Sequence, residues 1–357
     1  MNGVRGITKR VWAGALLAAF LAVFLPANVV AQGDKTILGA GSSFINPLFS
    51  KIFYDYNIKT GIQVNYQSIG SGGGVKALTD KTVDFGASDA PLNEEQDAKM
   101  GAPVLHIPQA SSAVVITYNL PGITTNINLS PDVIADIFLG KIKKWSNARI
   151  KNLNKGLALP ALPILIAHRS DGSGTTNIFT NYLDKISADW HKKVGTGSAV
   201  NWPVGLGGKG NEGVAGLVKQ IPGGIGYVEL VYALNNKMRF AQVKNKKGQF
   251  ILPSIASVTA AGNVNLPEDA KAFITNTEAP DGYPISGFTW VIIYKEQFYK
   301  QRPAAKAEQL LKLLWYNIHE GQRFTAALYY APLSANALRV AEKILTTATY
   351  KGQPILK

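Results

Sequence analysis

Three stretches of the chain repeat one local design: an apolar run, a loop of glycine and hydroxyl residues, then a helix-like pattern. The first loop is Gly39-Ala40-Gly41-Ser42-Ser43-Phe44, ahead of a helix that Pro47 helps to start. The second is Ile69-Gly70-Ser71-Gly72-Gly73-Gly74-Val75, and the third is Arg169-Ser170-Asp171-Gly172-Ser173-Gly174-Thr175-Thr176. The chemistry of such a loop is anion capture. The first N–H groups of a helix have no partner within it, and the macrodipole makes that end positive. Glycine lets the backbone approach an oxyanion, and Ser or Thr adds a hydroxyl donor. One such loop reads equally as an ordinary turn and cap. Three in one chain point to a shared tetrahedral ligand.

Two charged positions add detail. Arg169 opens the third loop and can bind an oxyanion through two parallel N–H bonds. Asp171 either holds the guanidinium plane or caps the helix, and the two roles are compatible. Asp89 follows the run Asp84-Phe85-Gly86-Ala87-Ser88 and reads either as a turn cap or as a site residue. A carboxylate suits an anion site only if the anion brings a hydrogen. Phosphate near neutral pH carries one, whereas sulfate carries none and would face Asp89 with lone pairs and like charge.

Strand-like runs at Thr36–Leu38, Gln63–Ser68, Val83–Ala87, Val114–Tyr118, Ile164–His168, Ile225–Glu229 and Phe288–Ile293 must position these loops. Helical patterns lie between them, such as Leu48, Ile52 and Tyr56, or Ile178, Phe179, Tyr182, Leu183 and Ile186. The alternation predicts an α/β fold with largely parallel sheets. No linker or internal repeat interrupts a mature part about two domains long. Two lobes sharing crossover strands account for that, and a single large α/β domain is the alternative.

Arg5, Lys9 and Arg10 precede an apolar run from Val11 to Leu25, with Val29 and Ala31 at the small-residue positions before a cut. Residues 1–31 therefore read as a cleaved secretory signal, the apolar run falling short of the roughly 20 residues of a spanning helix. Cysteine is absent, so the exported chain must rely on its core alone, and no lipid can be attached at a cysteine behind the signal. A periplasm is the expected compartment. Of the net charge of +14, three positive charges sit in the signal. The remaining excess serves either solubility or anionic partners. Lys and Arg are scattered beyond Lys141–Lys144 and Lys244–Lys247, which disfavours nucleic acid.

Other chemistries lack their patterns. Gly207-Gly208-Lys209-Gly210-Asn211 has no hydroxyl to hold magnesium, so it is not a nucleotide loop. His106, His168, His191 and His319 show no metal-ligand spacing, and no Gly-x-Ser-x-Gly elbow is present. An esterase using Ser43 or Ser71 as nucleophile has no base nearby in sequence. A receptor for sulfate or molybdate meets the objection of Asp89, and nothing specific favours an adhesion role.

At Gly39–Phe44, Gly70–Lys76, Val83–Pro91, Arg169–Thr175 and Trp202–Glu229 the chain resembles the periplasmic phosphate-binding proteins of phosphate-specific ABC transporters, the PstS family. The resemblance runs over nearly the whole mature chain. It implies a two-lobed periplasmic binding protein fold (type II-like) with two crossover hinge strands. One lobe would combine residues 32–115 and 286–357, the other residues 116–285. It implies a monomeric receptor, not an enzyme, needing no cofactor or metal and handing inorganic phosphate to permease subunits in the inner membrane. The implied ligand shell is Ser43, Phe44, Ser71, Asp89, Arg169, Ser173, Gly174 and Thr175, with Asp171 holding Arg169. Ser43 stands where the family usually has Thr, and Gly72 where Ser is common.

Overall fold

The computed structural model describes residues 35–356, so the expected signal and its cut after Ala31 lie outside the described residues. Nine strands form the main sheet: β1 (Thr36–Gly41), β2 (Gln63–Ser68), β3 (Phe85–Ser88), β4 (Val104–Tyr118), β5 (Leu165–Arg169), β6 (Leu206–Gly208), β7 (Gly224–Glu229), β8 (Arg239–Phe240) and β9 (Ser286–Tyr294). Their order is β2-β1-β3-β9-β4-β7-β5-β6, with β8 also on β4.

The sheet is parallel at its flanks, where β1 joins β2 and β3, and β5 joins β6 and β7. It is antiparallel at its centre, where β9 pairs with β3 and β4, and β4 with β7. The expectation of largely parallel pairing therefore holds only outside the middle. The long strand β4 serves both halves: residues up to Ala113 pair with β9, and Val114–Tyr118 pair with β7. Every residue of β9 is buried, which explains why the stretch from Ile285 to Tyr294 is mostly apolar, with Ser286 and Thr289 its polar members.

The helices that matter to the site begin at the carboxyl ends of strands. They are α1 (Asn46–Thr60), α2 (Ser71–Thr79), α3 (Gly174–Ile186), α4 (Gly210–Gln220) and α5 (Leu230–Asn235). Two further helices, α6 (Ala304–Ile318) and α7 (Ala335–Thr346), complete one half. In α1 the buried face is Leu48, Phe49, Ile52, Phe53 and Tyr56, the spacing of a single helical stripe. In α3 it is Ile178, Phe179, Tyr182 and Leu183.

Two large apolar cores result. One gathers Val114–Ile116, Phe138, Trp145, Phe179, Trp190 and Tyr227, drawn mainly from residues 113–285. The other gathers Phe49, Phe53, Phe85, Trp290, Leu310 and Leu314, from the two ends of the chain. Phe179 stacks on Tyr227 at 4.5 Å between ring centres, which pins α3 to β7. No helix among the described residues is long and apolar enough to cross a membrane.

Candidate anion-binding site

The three glycine–serine loops meet. Gly72 N–H donates to Gly172 O (2.9 Å), so the second and third loops are in direct contact. Gly70 takes φ +83° and passes so close to the Asp171 carboxylate that a Cβ there would collide with it. At the start of α3, a Cβ on Gly174 would lie 2.5 Å from both Asp89 Oδ2 and the Ser71 hydroxyl oxygen. The N-terminus of α3 thus faces Asp89 and Ser71 across a space that admits only glycine at that position.

Arg169 ends β5 and is 4% exposed. Its Nε and Nη2 donate to the two oxygens of Asp171 at 2.7 and 2.5 Å, a fork that fixes the guanidinium plane. Asp171 also accepts Gly210 N–H at 3.0 Å. Burial acts to raise the Asp171 pKa, but the bonds and charge of Arg169 outweigh it and hold the group below its ordinary value. With one edge committed to Asp171, Arg169 has Nη1 beside the Thr175 hydroxyl (3.4 Å) and pointed at the start of α3. Of the two roles left open for Asp171, orienting Arg169 is the one the geometry supplies. The helix itself is capped by Ser173, whose hydroxyl oxygen accepts Thr176 N–H at 3.0 Å.

Asp89 is 2% exposed. Its Oδ1 accepts the hydroxyls of Ser42 (2.6 Å) and Thr289 (2.5 Å), and its Oδ2 accepts that of Ser71 (3.2 Å). Burial pushes its pKa up to about 6, against the pull of the Ser42 and Thr289 hydroxyls, the Arg169 charge and Ser71. At neutral pH it is therefore mainly ionised, with Oδ1 saturated and Oδ2 the oxygen with capacity left. The position that sequence spacing left between cap and site residue is a buried acceptor.

The sequence-predicted residues all converge here. Ser43 is buried, and its hydroxyl oxygen accepts Asn211 Nδ2 at 2.9 Å. Phe44 N–H, expected to face the anion, donates to Ser42 Oγ at 3.0 Å. Asn211 Nδ2 also reaches the Thr175 hydroxyl (3.2 Å), linking the first loop to the third. Ser71, the first residue of α2, is expected to have no base nearby, yet the fold sets the Asp89 carboxylate beside it. Three hydroxyls share that carboxylate, and no histidine joins them.

Four functional residues escape the sequence reading. Ser42 and Thr289 fix the orientation of Asp89. Tyr227 receives Arg169 N–H on its hydroxyl at 3.1 Å. Asn211 is fully buried at the start of α4 and comes from the segment read as a failed nucleotide loop. That segment is a fourth strand, glycine turn and helix N-terminus, so the signal was the same as for the other three. The four histidines do not cluster: among the described residues no group of His, Asp and Glu is placed to hold a metal ion.

Residues 26–313 match the PBP superfamily domain. The phosphate-binding protein PstS of Xylella fastidiosa is 45% identical over 310 residues, covering 86% of this chain and 84% of that one. The phosphate-binding protein PstS of Pasteurella multocida is 45% identical over 282 residues, covering 78% and 81%. Among solved structures, a high-affinity periplasmic phosphate-binding protein, PfluDING, bound with phosphate, superposes with a TM-score of 0.68 at 20% identity. That match covers 86% of this chain and 93% of the other. The fold is thus that of the phosphate-binding periplasmic proteins, and the chain belongs to the PstS family of phosphate-binding proteins.

Proposed function

We propose that this protein is a periplasmic receptor for inorganic phosphate, a carrier and not an enzyme, that hands its ligand to the permease of an ABC transporter. The observation that carries the reading is the convergence, in one buried spot, of a fixed guanidinium, a glycine-only helix N-terminus and a buried carboxylate. The first two attract an oxyanion. The third is costly in an anion site unless the anion supplies a hydrogen. Phosphate meets both conditions, and sulfate meets only the first.

In this reading the ion lies among the Ser43 N–H, the hydroxyls of Ser43, Ser71, Ser173 and Thr175, the N–H groups at Gly174 and Thr175, and Arg169 Nη1, and the Phe44 N–H joins them only if it leaves Ser42 Oγ. Asp89 Oδ2 accepts the phosphate hydrogen. Arg169, its plane fixed by Asp171, supplies the positive charge for the ion, and the reading needs no metal. Micromolar affinity corresponds to about 8 kcal/mol, and charge-assisted hydrogen bonds contribute roughly 1.5–3 kcal/mol each. A handful covers the requirement, with the surplus offset by desolvation and closure.

The lobes would be residues 32–115 with 286–357, and residues 116–285. The switch of β4 from β9 to β7 between Ala113 and Val114 supports that division, as do the two cores, which follow it for most of their members, with Phe44 and Ala331 in one and Val231, Ala270 and Ile274 in the other crossing it. The bonds from Asn211 and from the Tyr232 hydroxyl to Ser43 and its carbonyl (2.9 and 2.7 Å) would then cross the cleft and form on closure. The permease reads the closed form, and a monomer suffices for that task.

The deciding experiment is calorimetric titration of phosphate-stripped protein with phosphate, alone and with equimolar sulfate. Tight one-to-one binding indifferent to sulfate is expected. Absence of phosphate heat would overturn the reading, and competition by sulfate would reassign the ligand.

A further inference from the structure

Glu229, the last residue of β7, is 0% exposed and lies behind the anion site. The Ser112 hydroxyl of β4 lies 2.6 Å from its Oε1, and Val231 N–H donates to its Oε2 at 2.9 Å. The Tyr330 hydroxyl, which donates to Phe44 O at 2.6 Å, is a further neutral group near it. All of these partners are neutral. The titratable groups facing it are Tyr330, ahead of α7, Tyr232 of α5, and the Asp89 carboxylate, which opposes its ionisation. Arg169, the cation of the site, is committed to Asp171. Glu229 is also coupled to the cleft: its N–H donates to Asn211 Oδ1 (2.9 Å), and the Asn211 amide holds the hydroxyls of Ser43 and Thr175.

We propose that Glu229 is a positioning residue that must carry a proton for the cleft to shut, so that capture of phosphate takes up a proton at this side chain. This rests on the phosphate-receptor reading of the same site. An ionised carboxylate sealed among neutral partners and beside a second carboxylate lacks the counter-charge that burial demands. Ser112 Oγ can take the hydrogen bond of a neutral Glu229, since a hydroxyl accepts as well as donates. In the closed form burial, with Asp89, pushes the group up to about 8. In an open cleft, water at the carboxyl returns it toward its ordinary range, near 4. A closed-state value above the open-state value means that closure binds a proton between the two, and that phosphate affinity falls as pH rises across that window.

The test is calorimetry of phosphate binding to wild type and Glu229→Gln, in buffers of different ionisation enthalpy, from pH 6 to pH 8. Comparison with the variant cancels the protons of phosphate and Asp89. At pH 7 wild type should take up about one proton more per phosphate than the variant. Its affinity should fall, relative to the variant, by up to about tenfold per pH unit. Infrared difference spectra of wild type should gain a protonated-carboxyl band on binding phosphate at pH 7, a readout that does not depend on the variant folding. Equal proton uptake in the two proteins, or no such band, would overturn the inference and leave the receptor reading standing. No phosphate binding by wild type would overturn both.

Discussion

Asp89→Asn is the substitution that separates anion attraction from anion choice. Asp89 Oδ1 already accepts two short hydroxyl bonds, while Oδ2 accepts only Ser71 at 3.2 Å and faces the N-terminus of α3. An asparagine in this pocket will therefore keep its carbonyl on the Ser42 and Thr289 side and turn its NH2 toward the anion. Phosphate then loses the acceptor for its hydrogen, a charge-assisted bond of roughly 1.5–3 kcal/mol, or about 10- to 150-fold. Sulfate gains a donor and is relieved of a buried like charge, a change of similar size and opposite sign. The phosphate-to-sulfate affinity ratio should thus shrink by at least about a hundredfold. Competitive calorimetry at pH 7.5 measures that ratio directly. Wild type carries its own control, because burial pushes the Asp89 pKa up to about 6. Below that pH a protonated Asp89 can donate to sulfate, so wild-type selectivity should erode as pH falls toward 5, whereas the variant's should not follow. An unchanged ratio in the variant would refute the assignment of Asp89 as the discriminating group.

Arg169→Lys should weaken phosphate binding by roughly 30-fold or more, because an ammonium cannot bind Asp171 through two N–H groups and still present a third to the anion. Titration of the variant checks this, and a change under threefold would remove Arg169 from the shell. Gly174→Ala forces a methyl against Asp89 and Ser71. Overpacking of about 1–3 kcal/mol predicts a Kd raised roughly 5- to 150-fold, larger than any loss of thermal stability in phosphate-free protein. Stability should respond to His106, which is 2% exposed and accepts Leu92 N–H on Nε2 at 3.2 Å. Burial lowers its pKa to about 4, with Lys271 adding to the effect. The unfolded chain then binds more protons than the folded one below about pH 6.5, so stability is full above that pH and is lost as pH falls toward 4. Urea titrations at pH 7 and pH 4.5 should show a drop of about 2–3 kcal/mol in wild type that His106→Gln lacks.

The helices, the flanking parallel strands and the three loops were legible because each is written locally. The stripe Leu48, Ile52 and Tyr56 lies within α1, and β2 spans the residues its pattern gave. The first half of β4 was not. Pro108 interrupts it, and a proline without an N–H argues against a continuing strand. The strand passes through because its pairing with β9 shifts register there: Thr289 lies opposite Ala110 and Trp290 opposite Pro108, leaving Gln109 over. Such a bulge tolerates the proline, and no periodicity announces it.

The same irregularity shows why the candidate site was only half visible. Thr289, on the β9 side of the register shift, delivers its hydroxyl to Asp89 across 200 residues of sequence. Ser42 reaches Asp89 across 47 residues, and Asn211 reaches Ser43 across 168. Donors that meet an anion sit on loops with a recognisable composition, because glycine and hydroxyls at a helix N-terminus are themselves the chemistry. The residues that aim those donors can be any polar type that the fold happens to bring near, so composition does not mark them. Hence Arg169 and Asp171, two apart, could be paired from the sequence, whereas the three hydroxyls on Asp89 could not. The two on Oδ1, from Ser42 and Thr289, leave Oδ2 as the oxygen of Asp89 with capacity to accept a further hydrogen. In the proposed reading, the choice of anion therefore depends on Ser42 and Thr289 as well as on Asp89, and the sequence alone gives no reason to pair either of them with that carboxylate.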